Sequence, residues 1–231
     1  MNRHTLLAST LIPNDGGELR LFEAGDDFII KLDGIAGDLM STRAHGSEDQ
    51  LAEIACKKIA DRAQPRVLIG GLGMGFTLAS ALRHLGSNAE VVVAELVPGV
   101  VEWNRTIVGG KAGHPLKDAR AQVRETDVAL LLKEAALKEA AQAYDAILLD
   151  VDNGPEGLTH TGNDWLYSMD GLQVCKEALR PHGVLAVWSA GPDQDFTRRL
   201  KKAGYVVQEL RVFAHGNKGT RHTLWMADKP A

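Results

Sequence analysis

From Ser47 onward the apolar residues switch repeatedly between two spacings. SEDQLAEIACKKIADR sets Leu51, Ile54, Ala55 and Ile59 on one helical face, with Ser47 as the expected N-cap. Short β-branched runs then recur: VLIGG at 67–71, EVVVAE at 90–95, AQVRET at 121–126, AILLD at 146–150 and GVLAVW at 183–188. A helical stretch separates each run from the next. Strands covered on both faces lose the polar alternation, so this order predicts an α/β fold with a mostly parallel sheet and crossover helices on both faces. YVVQELRVF and HTLWMA follow with no long helix between them, which predicts an antiparallel hairpin at one sheet edge. Before Ser47 the pattern differs: LLASTLI, ELRLFEA and DFIIKLD are separated by DGG and GDD turn signals and read as hairpins. The expected organisation is a small N-terminal β region over 1–46 and a larger α/β domain over 47–231. No internal repeat or low-complexity tract interrupts it.

Composition narrows the partners. The chain has 231 residues, 45% hydrophobic and 24% charged, which suits one domain with a small appendage. A net charge of −4 offers no basic excess for phosphates, so nucleic acid is not an expected partner. Nor is a membrane, since no apolar run nears the roughly 20 residues of a spanning helix. The opening MNRHTLLASTLIPNDGG lacks the pattern of a secretion signal, and Cys56 and Cys175 have neither zinc nor disulfide-framework spacing. A cytoplasmic location is expected.

The candidate chemistry sits where the apolar runs end. RVLIGGLGMGFTLASALRHLG is a strand, a glycine turn and a helix in succession, with Gly70, Gly71, Gly73 and Gly75 able to bring backbone N–H groups close to a ligand. Glu95 ends the next run, where such folds place an acid for ribose hydroxyls, and Asp127 follows the third, suited to an adenine amino group or to capping the next helix. G-x-G-x-G lacks the third glycine of the dinucleotide fingerprint, so an adenosine-containing ligand is favoured over NAD. In YDAILLDVDNGPEG a buried run ends in Asp150, Asp152 and Asn153, with Gly154 and Pro155 shaping the turn. Ligands in open α/β sheets bind outside the carboxyl ends of the strands, so these three residues are the expected reaction centre. DVDN supplies too few fixed oxygens to hold a cation, and no metal is expected.

VLIGGLGMG, Glu95, Asp127, YDAILLDVDNGPEGL and LYSMDGLQVCKEALRPHGVLAV, in this order, resemble the spermidine synthases, polyamine aminopropyltransferases built on the class I S-adenosylmethionine-dependent methyltransferase (Rossmann-like) fold. The hairpins and GDLMSTRAHGSEDQLAEIA resemble that family's small β domain and its junction. The resemblance implies a transferase whose co-substrate is decarboxylated S-adenosylmethionine, with Asp150 at the family's catalytic position, also contacting the donor. It implies a small-molecule amine acceptor, and a homodimer joined through the hairpins. Three departures stand out. Met74 replaces the family's glycine-loop acid, Asp150-Val151-Asp152-Asn153-Gly154 replaces its D-S-[ST]-D-P loop, and Leu51 and Ala52 replace its Tyr-His pair. Arg43 can compensate by pairing with the carboxylate of ordinary S-adenosylmethionine, and His45 can serve as a base. Trp165 and Tyr167 either line the pocket or pack in the core. Alternative readings are a small-molecule methyltransferase using S-adenosylmethionine, and a non-catalytic nucleotide-binding regulator. The terminal run with His215, Lys218, Arg221 and His222 is expected to cap the sheet edge rather than close over substrate.

Overall fold

The computed structural model describes residues 4–14, 16–137, 143–151, 165–215 and 218–231. The apolar runs form a seven-stranded sheet from β5 (Arg66–Gly70), β6 (Glu90–Glu95), β7 (Ala121–Glu125), β8 (Tyr144–Leu149), β9 (Leu179–Ser189), β10 (Val206–His215) and β11 (Lys218–Asp228). The spatial order is β10-β11-β9-β8-β5-β6-β7. β5 to β9 are mutually parallel, whereas β11 pairs antiparallel with both β9 and β10, as the missing crossover helix required. β8 is buried at every position, which is why its run from Ala146 to Leu149 is continuously apolar.

Two helical layers split the sheet side chains by parity. Val67, Ile69, Val91, Val93, Ala146 and Leu148 face one core with α1 (Gly46–Lys58), α2 (Phe76–His84) and α3 (Pro98–Thr106). Leu68, Val92, Ile147, Leu149 and Leu185 face the other with α4 (Val128–Leu137), α5 (Met169–Ala178) and α6 (Gln194–Lys202). Alternate Cβ atoms on a strand point to opposite faces, so one apolar run feeds both cores. Among the described residues no helix is long and apolar enough to cross a membrane.

A separate antiparallel sheet precedes α1, built from β1 (Thr5–Leu11), β2 (Glu18–Ala24), β3 (Asp27–Leu32) and the short β4 (Met40–Ser41). Leu19, Leu21, Ile30 and Leu32 enter the core shared with α1, α2 and α3. At Gly99 in the first turn of α3, an added Cβ would lie 2.4 Å from the Thr10 hydroxyl of β1, so the glycine lets the small sheet sit close. Two details differ from the pattern reading. β4 is invisible in the sequence, because two residues carry no periodicity. Ser47 does not cap α1: the helix starts at Gly46, no side chain caps it, and the buried Ser47 hydroxyl bonds to distant elements instead.

The opposite end of the sheet is held by Asp145, which is fully buried at the start of β8. One carboxylate oxygen accepts the Arg66 backbone N–H at 2.8 Å and Arg180 Nη1 at 2.7 Å, while the other lies 3.6 Å from Arg62 Nε. Removing one partner of such a group strands buried charge, which costs about 3–5 kcal/mol. Asp145→Ala is expected to destabilise the protein by about 3 kcal/mol, read as a lower urea midpoint with an unchanged m-value.

Candidate active site

β5 and β8 are neighbours whose following helices cross to opposite faces, and the crevice opens between their carboxyl ends. The backbone leaves β5 at Gly71 with φ +90°, and a Cβ there would stand 2.4 Å from the Asp150 carbonyl oxygen. Only glycine allows this contact. The Asp150 N–H in turn donates to the Gly70 carbonyl at 2.9 Å, and the Gly71 N–H to that of Ala94. Gly75, at φ +85°, occupies the N-cap position of α2, and Phe76 and Thr77 of the first turn line the crevice, so the positive end of the helix faces it.

Glu95 is buried, and its two oxygens accept the backbone N–H groups of Leu72 and Val97, each at 2.9 Å. Burial holds its carboxyl above the ordinary value, against the lowering effect of the surrounding amides. The backbone N–H groups of Gly73 and Leu96 also bear on this carboxylate, which therefore sits in a ring of amides at the end of β6. Asp127 Oδ1 accepts the Ala129 N–H at 2.8 Å, so it caps α4 while remaining on the crevice wall.

Asp150 Oδ2 accepts a 2.5 Å hydrogen bond from the buried Thr77 hydroxyl of α2. Glu48, on the first turn of α1, shares the crevice. Burial drives both carboxyls up, Glu48 to about 7 and Asp150 to about 6; the Asp150 charge adds to the rise at Glu48, and the Thr77 hydroxyl opposes that at Asp150. Glu48 Oε2 accepts from Ser47 Oγ at 2.5 Å. That hydroxyl also accepts Trp188 Nε1–H at 3.0 Å and lies 2.8 Å from His222 Nδ1.

Glu48, Thr77, Asp150, Trp188 and His222 line one cavity of about 750 Å³ between the strand ends and the small N-terminal sheet, and Ser47 lies covered behind it. Gly71, Gly73, Glu95, Asp127, Asp150 and Arg43 all reach its wall. Arg43 stands exposed at the rim, held by Asp27 through Nε at 3.0 Å and Nη2 at 2.8 Å. Met74 is buried on the cavity wall. His45 is not on that wall: it stacks on Phe76 with ring centres 4.0 Å apart and pairs with Asp49, a bond that raises its pKa. Gly70 and Gly75 shape the turn without lining the cavity. Tyr167 is buried edge-on to Phe196 and donates to the Val151 carbonyl at 3.2 Å, and Trp165 packs under Lys133. Asp152 and Asn153 lie outside the described residues. Thr77 and Trp188 join the site without any signal in the sequence, and His222, expected to cap the sheet edge, joins it too. The β10–β11 hairpin does more than blunt an edge, since His222 lines the cavity. Among the described residues no group of three or more His, Cys, Asp or Glu side chains is arranged to hold a metal ion.

No protein-family model matches the chain, and no curated protein is significantly similar to it in sequence. Solved structures do match. They include spermidine synthase in complex with the transition-state analogue AdoDATO (TM-score 0.74, 20% identity, covering 97% of this chain and 72% of that one). Spermidine synthase from Thermotoga maritima matches with a TM-score of 0.75 at 20% identity and the same coverage. A probable spermidine synthase from Corynebacterium glutamicum matches with a TM-score of 0.63 at 13% identity, covering 99% of this chain and 81% of that one. The chain therefore has a spermidine-synthase-like fold, a methyltransferase-type sheet preceded by a small antiparallel one.

The raised carboxyls make stability depend on pH. Native Asp150 and Glu48 bind protons more tightly than their unfolded counterparts, which titrate near pH 4. Their contribution is present below about pH 4 and is lost as pH rises through 6 to 7. Asp150→Asn should therefore be more stable than the wild type at pH 8, by about 1–2 kcal/mol, with the advantage gone near pH 4. Urea unfolding at the two pH values checks the sign.

Proposed function

We propose that the protein is a transferase of the spermidine synthase type, alkylating an amine with the aminopropyl group of decarboxylated S-adenosylmethionine. One observation carries the reading: a carboxylate at the end of β8, gripped by Thr77, shares a single cavity with the glycine turn, Glu95 and Asp127. The donor's adenosine would lie on those three strand ends, with Glu95 taking the ribose hydroxyls and Asp127 the adenine amino group. A cavity walled by Glu48, Glu95, Asp127 and Asp150 favours cationic ligands, and both a sulfonium and an ammonium are cations.

The sulfonium supplies a good leaving group, because it departs as a neutral thioether. The protein has then to deliver an unprotonated nitrogen in line with the carbon–sulfur bond. Asp150 orients that nitrogen and favours loss of its proton, work worth about a hundredfold or more in rate. Thr77 fixes one Asp150 oxygen and leaves the other for the amine. The expected partner is a second copy of this chain, joined through the small sheet, whose edge strand exposes Leu6, Leu7 and Leu11.

A second reading, methyl transfer from ordinary S-adenosylmethionine to a small molecule, is favoured by two residues. Met74 offers no charge to the donor's amino end, and Arg43 keeps N–H groups beyond those bound to Asp27. Arg43→Ala should weaken binding of ordinary S-adenosylmethionine at least tenfold if Arg43 holds a carboxylate, a charge-assisted contact of about 1.5–3 kcal/mol. Binding of the decarboxylated donor should not change; calorimetry with both donors decides, and equal losses would remove the carboxylate role.

Asp150→Asn is expected to lower turnover of decarboxylated S-adenosylmethionine with primary amines by about a hundredfold or more. Its affinity for 5′-methylthioadenosine should stay within a few fold. Mass-detected product at the wild-type rate from this variant would overturn the assignment of Asp150.

A further inference from the structure

The Ser47 hydroxyl is fully buried and meets three partners from three elements: Glu48 beside it on α1, Trp188 on β9 and His222 on β11. A hydroxyl has one proton to donate and two lone pairs to accept with, and the indole N–H can only donate. Two complete arrangements remain. With Glu48 ionised, Ser47 donates to Glu48 and accepts from Trp188 and from His222 Nδ1–H, leaving the proton off Nε2. With Glu48 protonated, Ser47 accepts from Glu48 and Trp188 and donates to His222 Nδ1, which places the ring proton on Nε2. Trp188 serves both states unchanged, and its ring also meets the His222 ring edge-on at 4.7 Å.

We infer that Glu48, Ser47 and His222 form the proton exit of the reaction site. The inference rests on the transferase reading above. An acceptor amine enters as an ammonium ion and leaves as an alkylated ammonium ion, while the sulfonium becomes a neutral thioether. One proton must therefore depart per turnover: the nitrogen lone pair forms the new C–N bond, and the C–S bonding pair stays on sulfur. Glu48 takes the proton the nitrogen gives up. Protonation of Glu48 turns the network into the second arrangement, the His222 ring proton exchanging through solvent from Nδ1 to Nε2. Glu48 then gives its proton to Ser47 as Ser47 gives its own to His222 Nδ1, and the Nε2 proton leaves to solvent, which restores the first arrangement with Glu48 ionised. Glu48 and His222 both line the cavity, and Ser47 is the one covered link between them. Burial tunes both ends for proton transfer. It raises Glu48 towards neutrality, with Asp150 raising it further and His45 opposing, and it keeps His222 below the ordinary histidine value.

Three measurements test the relay. The first is ¹⁵N NMR of His222 in the wild-type protein from pH 6 to 9. The ring proton should move from Nε2 to Nδ1 as Glu48 ionises, and in Glu48→Gln it should stay fixed; a single wild-type tautomer throughout would overturn the inference whether or not the protein is a transferase. The second uses decarboxylated S-adenosylmethionine and 1,4-diaminobutane. Glu48→Gln should lower kcat at least tenfold at pH 7 and approach the wild type by pH 10, where the amine loses its proton unaided; a loss equal at every pH would mean that Glu48 only shapes the site. The third is rescue, in which turnover lost in His222→Ala returns with added imidazole, and no return counts against the relay. Absence of product from the wild type would overturn the transferase reading, and the tautomer measurement would then decide the relay alone.

Discussion

The contact between Gly71 and the Asp150 carbonyl is the constraint on which the site depends. β5 and β8 run side by side, and the chain leaves them towards opposite faces of the sheet, so their ends must part from a point where the backbones almost touch. A side chain at Gly71 would force that point open. Because it stays closed, the start of α2 and the end of β8 enter one crevice at a fixed separation, and Thr77 reaches Asp150 directly. The glycine turn and the acid are thus two sides of one structural junction.

The electrostatics follow from that junction. Among the described residues six carboxyl groups line the cavity, Asp27, Asp38, Glu48, Glu95, Asp127 and Asp150, and the arginine at its mouth is already bound to Asp27. Burial raises both Glu48 and Asp150 above the ordinary carboxyl range, and the charge of Asp150 raises Glu48 further. Burial raises Glu95 as well, and there backbone amides oppose the rise.

Much of this was legible in the chain itself. Apolar runs with β-branched residues, separated by helical stretches, determined the strands and the parallel sheet, because a run without alternation must be covered on both faces. The missing helix before HTLWMA determined the antiparallel strand β11. Acids that close strands are visible in the sequence, and the carboxyl ends of a parallel sheet all point one way, so Glu95, Asp127 and Asp150 belong to one edge on sequence grounds alone.

Tertiary structure decided the rest. Ser47 reads as a helix cap from its neighbours, yet its hydroxyl meets Trp188 and His222, 141 and 175 positions away. Nothing in the local pattern announces such partners, since a serine, an indole and an imidazole at those separations carry no periodicity. His45 and Arg43 sit close together near Glu48 in the sequence, but His45 turns onto Phe76, Arg43 onto Asp27, and Glu48 into the cavity. Periodic burial determines which elements form and which way the strand ends face, because burial acts on whole faces; which polar side chain meets which is set only when sheet, helix and hairpin pack, because hydrogen bonds act over about 3 Å.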